Sequence, residues 1–144
     1  MHTPHGTFVG YREGAPAIQR TIDYVRAHAR ARQPIVVLPD SPGLHFLSGH
    51  PPALRDLTFL PGTLDSAADE RAAVRRLERT RPPLIVLAAQ RTQQYGFSQI
   101  GVDYDRILLG YIYVRYSRAA TFGDVSRPTK DNLPPRAFTI FARR

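Results

Sequence analysis

The sequence predicts a small α/β domain: layers around a central, mostly parallel sheet, flanked by helices and closed by an antiparallel edge strand. Three observations predict it. Amphipathic stretches at helical spacing alternate with short Val/Ile-rich runs, IVVL at 35–38 and LIVLAA at 84–89. Pro34 and Pro39 bracket the first run too tightly for a helix, and Pro82 and Pro83 halt the helical pattern ahead of the second. The chain then closes on AFTIFARR, in which Phe138, Ile140 and Ala142 alternate with Thr139, Phe141 and Arg143 at the period of a strand.

Taken in order, residues 1–14 carry no periodic apolar pattern and are expected to be a flexible lead-in. PAIQRTIDYVRAHAR at 16–30 sets Ile18, Ile22, Val25 and Ala29 on one helical face, with Pro16 suited to the first turn. IVVL follows as a short, fully buried strand. In SPGLHFLSGHPPALRDLTFLPG at 41–62, a short helix is expected around Pro42 to Leu47, with Gly49 stopping it and Pro51 and Pro52 redirecting the chain. Ser66 is the expected cap of a helix over 67–80, where Asp69 and Glu70 occupy the electropositive first turn and Val74 and Leu77 face inward. LIVLAA is the second buried strand. A third helix is expected after Asp103 as its cap, with Tyr104, Ile107, Leu108, Tyr111 and Val114 or Arg115 along one side. RAATF and AFTIFARR read as strands separated by a loop insertion at 123–136.

The 144 residues, 42% hydrophobic, form a single expected domain over 1–144, a length that buries roughly two thirds of the unfolded surface. No apolar run approaches the ~20 residues of a membrane span, and the start MHTPHGTFVGYR lacks the pattern of an export signal. The formal charge is +8, and Lys130 is the sole lysine among 20 basic residues. Such a charge permits nucleic acid or an anionic membrane surface as partner. The arginines are scattered, however, and the densest group, Arg71, Arg75, Arg76, Arg79 and Arg81, reads first as a solvated helix face. The absence of cysteine excludes disulfides and thiolate chemistry.

Motifs for catalysis are missing. There is no dinucleotide fingerprint after a strand, no phosphate-binding loop and no nucleophile elbow. His45 and His50 stand five positions apart around Gly49, off any common helical face and without a third ligand nearby, so a structural placement is expected and no metal or other cofactor. Asp40, Asp56, Asp103 and Asp105 each read as turn or cap residues. Ligands of open parallel sheets bind beyond the carboxyl ends of the strands. Here those ends are PDSPG and AQRTQQYGFSQIG, so Asp40, Ser41, Gln90, Arg91 and Tyr95 are the candidate lining of a shallow polar pocket.

The ordered segments DYVRAHARARQPIVVLPDSPGLHFLSGHPP, RDLTFLPG, RPPLIVLAA and GVDYDRILLGYIYVRYSRAATFG carry a resemblance. Together they resemble the carboxyl-terminal soluble domain of glycosyltransferase family 39, the dolichyl-phosphate-mannose-protein mannosyltransferase-like membrane enzymes of C-fold architecture. The likeness spans about residues 17–123 and the final strand; LHFLSGHPPALR departs from the family pattern at His50, where an arginine is expected. The resemblance implies a non-catalytic domain on the extracytoplasmic face of a bacterial inner membrane, partnered by a membrane-embedded transferase portion in cis or in trans. It also implies anionic lipid or a lipid-phosphate sugar as neighbours, and catalytic acids that lie in the membrane portion, so no catalytic residue is carried over and the isolated chain is expected to be inactive. The alternative is a free-standing module binding a small ligand or nucleic acid; the latter is disfavoured because the tyrosines of 104–116 are expected to point mostly at the core.

Overall fold

The computed structural model describes residues 2–3, 6–7, 13–129 and 134–144. The expected flexible lead-in at 1–14 and the middle of the 123–136 loop thus fall largely outside the described residues. Two short antiparallel strands, β1 (His2–Thr3) and β2 (Gly6–Thr7), precede the domain proper. There follow α1 (Ala15–His28), β3 (Val36–Leu38), α2 (Gly43–Ser48), α3 (Ala67–Thr80), β4 (Leu84–Ala88), a short 3-10 turn at Gln93–Tyr95, α4 (Arg106–Arg115), β5 (Tyr116–Phe122) and β6 (Phe138–Arg143).

The main sheet has the order β3-β4-β6-β5. β3 and β4 pair in parallel, and β6 pairs antiparallel with both β4 and β5. Three strands, β3, β4 and β5, therefore run one way, as the mostly parallel expectation has it. The single reversed strand lies inside the sheet, between β4 and β5, and the edges are β3 and β5. The reason is chemical: Phe138 and Ile140 of β6 are buried at 1% and 0% exposure, and Phe141 at 7% on the opposite face. A strand apolar on both faces belongs in the middle of a sheet, whereas β5 presents Ser117, Arg118 and Ala119 to solvent.

Helices cover both faces. Ile35, Val37, Leu84, Val86, Phe138 and Ile140 pack with Ile22, Val25 and Leu44 of α1 and α2. On the other face Val36, Leu38, Ile85 and Phe141 pack with Leu77 of α3 and Leu108, Leu109 and Ile112 of α4. Consecutive residues of β3 and β4 point to opposite cores, which is why both strands read as unbroken apolar runs.

Local signals explain the helix ends. Ser66 caps α3, its Oγ accepting the Asp69 N–H at 3.2 Å. Gly49 terminates α2 at φ 77°, a conformation glycine adopts without a Cβ penalty. The helix after residue 103 departs from expectation. It starts at Arg106, and Asp103 instead accepts the N–H groups of Ser98 (2.7 Å) and Gln99 (3.3 Å) in the preceding loop. Asp105, at the N-cap position, has φ 49° and makes no side-chain cap. The cap comes from α3: Glu70 Oε2 accepts the N–H groups of Ile107 (2.7 Å) and Leu108 (2.9 Å). With that start, the inward face of α4 is Leu108, Leu109 and Ile112, and Val114 is 65% exposed.

Candidate functional site

The chain leaves the carboxyl ends of β3 and β4 toward opposite faces of the sheet. After β3 it runs into α2, which packs on the α1 side, and after β4 into the loop leading to α4 on the other side. Such divergence of neighbouring parallel strands opens a crevice above the sheet. Here it is a cleft of about 390 Å³. Asp40, Ser41, Gly43, Leu44 and Leu47 form one wall; Gln90, Gln94 and Tyr95 form the other; Ile18, Pro134, Pro135 and Phe138 complete it.

Four of the five residues assigned to this pocket from sequence, Asp40, Ser41, Gln90 and Tyr95, line the cleft together. Arg91 does not. Its backbone N–H donates to Thr129 O at 3.1 Å, tying the strand exit to the loop before β6, and its side chain is exposed away from the cleft lining. The alternation that turns Gln90 inward turns Arg91 outward. What sequence reasoning missed is the apolar part: Ile18, Leu44, Leu47, Pro135 and Phe138. Leu44 and Leu47, three apart on the short helix, carried a signal; Phe138 became a floor residue only because β6 inserts beside β4.

The polar groups have distinct electrostatic settings. Burial pushes the Asp40 carboxyl above its ordinary value. Ser41 Oγ donates to Asp40 O at 2.6 Å. Gln90 is 8% exposed, and its Oε1 is buried with no hydrogen-bond partner among the described residues. An unsatisfied buried polar atom of this kind costs about 1–3 kcal/mol. Gln90 also borders a smaller recess of about 150 Å³ on the α4 side, lined by Leu109, Tyr113 and Val125, so its side chain stands between two cavities. Tyr95 is half exposed on the rim.

The histidines are structural. His45 and His50 are both buried; His45 Nδ1 lies 3.2 Å from His50 O and His50 Nδ1 lies 2.9 Å from Gln33 O. A carbonyl only accepts, so each ring nitrogen donates. Burial holds His45 below its ordinary pKa and hence neutral. The His50 side chain fastens the exit of α2 to the chain entering β3, where Ile35 bonds across to Pro51 and Ala53, and His45 closes the turn between α2 and His50. No group of three or more metal-ligating side chains occurs among the described residues. The arginines of α3 and its exit, Arg71, Arg75, Arg76, Arg79 and Arg81, are exposed, and Arg76 Nε donates to Ala53 O at 2.8 Å.

Comparison with known proteins gives no identity: no family model matches the chain, and neither a curated protein nor a solved structure matches it significantly. One carboxylate, one hydroxyl, two amides and a rim tyrosine over an apolar floor suit reversible binding.

Proposed function

We propose that this chain is the non-catalytic extracytoplasmic domain of a membrane glycosyltransferase that uses lipid-phosphate-linked sugars. In this reading it caps the membrane-embedded portion, its partner, and holds the acceptor side of the reaction. The observation that carries the proposal is that the family-like segment and the cleft are one piece of structure. Ser41, Gly43, Leu44 and Leu47, from SPGLHFLSGHPP, form a wall of the cleft, while His50 of the same segment anchors it to Gln33 ahead of β3.

Chain direction supports the same arrangement. α1 begins at the cleft pole: Ile18 lines the cleft, and Glu13 pairs with Arg136, two residues before β6. A membrane portion joined ahead of α1 would meet the domain at the pole that bears the cleft. The arginine-rich opposite pole would then be distal to the join, so contact with anionic lipid is not assigned to it.

In-frame translation of the DNA upstream of residue 1 is the test. Repeated apolar spans of ~20 residues are expected; a stop codon there, with no adjoining gene for a membrane transferase, counts against the proposal. Turnover of a lipid-phosphate sugar by this chain alone would overturn its non-catalytic part. A free-standing small-ligand module is the second reading, favoured by the cleft itself, and it would remain if the upstream frame is closed.

A further inference from the structure

The cleft says something about charge that the composition conceals. The chain carries +8 overall, with 19 arginines, yet among the described residues lining the cleft there is no arginine and no lysine. Its sole charged side chain there is Asp40, an acid. A site for phosphate or another anion is built from guanidinium, ammonium or clustered backbone N–H groups, and Asp40 would repel such a ligand. Nor does one carboxylate make a cation site, since metal ions of either hard or borderline character call for three or more protein ligands.

What remains is a neutral ligand with two kinds of surface. The floor and one wall are carbon: Ile18, Leu44, Leu47, Pro135 and Phe138. The polar groups are short-range hydrogen-bonding ones, and one of them, the buried Gln90 Oε1, has no partner among the described residues. A ligand hydroxyl supplies such a partner. Tyr95 offers an aromatic face at the rim, whose negative π surface attracts weakly polarised C–H groups. Pyranose rings combine these features, with hydroxyls around the edge and C–H groups on the faces. At about 390 Å³ the cleft is within the size range of small-molecule sites.

We propose that the cleft binds an uncharged, hydroxyl-rich ligand of one or two pyranose rings, with Gln90 and Asp40 accepting ligand hydroxyls and Tyr95 packing on a ring face. The ligand is thus the neutral glycan part of an acceptor, not a phosphate-bearing donor. This deepens the acceptor-side reading and rests on it for the ligand's origin; because binding is measured on the chain itself, a closed upstream frame with sugar binding intact would sink only the transferase assignment.

The experiment is a titration of the ¹⁵N-labelled full chain with the methyl glycosides of glucose, mannose and galactose and with cellobiose. Inorganic pyrophosphate and glucose 1-phosphate serve as charged comparators. At least one neutral sugar is expected to give saturable shifts at the amides of Leu44, Gln90 and Tyr95, while pyrophosphate leaves them in place. Tyr95→Ala and Gln90→Leu are each expected to weaken the sugar at least tenfold with the remainder of the spectrum unchanged. Tyr95 is on the rim, so its removal tests binding without threatening the core, and Asp40→Asn should keep the hydrogen bond and the affinity within a few fold. Failure of every neutral sugar to saturate, pyrophosphate shifts at the same amides, or full affinity in both weakened variants would overturn the proposal.

Discussion

The two poles of the sheet differ in kind. At the amino ends of the parallel strands stand Arg30 and Arg32 before β3, Arg81 before β4, Arg115 before β5, and Arg143 and Arg144 at the end of β6. Helices α1, α3 and α4 all end at this pole, and cations there complement the negative ends of their dipoles. At the other pole the same helices begin, and acids collect: Asp69 and Glu70 on α3, Asp103 and Asp105 around the start of α4, Asp124 after β5. Asp124 pairs with Arg127 at 3.6 Å. The basic pole is thereby accounted for by local helix electrostatics. The cleft pole is not, because Gln90 Oε1 and Asp105 Oδ2 are buried there without a hydrogen-bond partner among the described residues. A feature that structure explains is weak grounds for function, and one that costs stability without a structural return is stronger.

The contrast predicts that substitutions at the cleft pole cost far more than those at the basic pole. The largest effect belongs to Gly123, which joins β5 to the loop at φ 83°; a Cβ there would lie 2.2 Å from Arg136 O and 2.8 Å from Ala137 Cα. Backbone atoms cannot swing aside as side chains do. Gly123→Ala should lower stability by about 4 kcal/mol through strain and clash together, read as a lower chemical-denaturation midpoint; an unchanged midpoint would contradict the geometry. Glu70→Ala follows, expected to cost about 3 kcal/mol because two N–H groups of α4 lose their acceptor, with Glu70→Gln recovering part of it.

Asp105 is the next test. It is 4% exposed, and burial, with the Glu70 charge adding, pushes its pKa up to about 7. The folded state therefore holds this proton more tightly than the unfolded chain, where the value is near 3.8. Stability should fall as pH rises from about 4 to 7 and level off above that. Asp105→Asn should flatten this dependence and gain about 2 kcal/mol at pH 8, since asparagine also tolerates the φ of 49°. Urea melts across that pH range decide it, and a loss of stability in the variant would refute the assignment. The smallest effects are expected at the basic pole, where Arg30→Gln with Arg144→Gln should shift stability by no more than about 0.5 kcal/mol, and less at high salt.

Much of the fold was legible in the residues. Ser66 to Thr80 was readable as α3 from its cap and its stop, and IVVL and LIVLAA as buried strands from their lack of alternation. The α4 start was not, since Asp103 carries the right residue type for a cap but spends its carboxylate on Ser98 and Gln99. Its true cap, Glu70, is 37 residues away in sequence, beyond the reach of any local rule. In the cleft, Asp40, Ser41, Gln90 and Tyr95 were placed by the strand-end rule alone, whereas Arg91 was one residue off the inward side.

The sequence by itself determined the helices α1 and α3 and the buried strands β3 and β4, because periodicity, proline brackets and caps are local properties. Only the tertiary structure decided that β6 lies between β4 and β5, that six arginines gather at the amino ends of the parallel strands, and that the described lining of the cleft carries none. Those three facts depend on strand pairing between distant segments, and hydrogen bonds across a sheet carry no mark in the sequence of either strand alone.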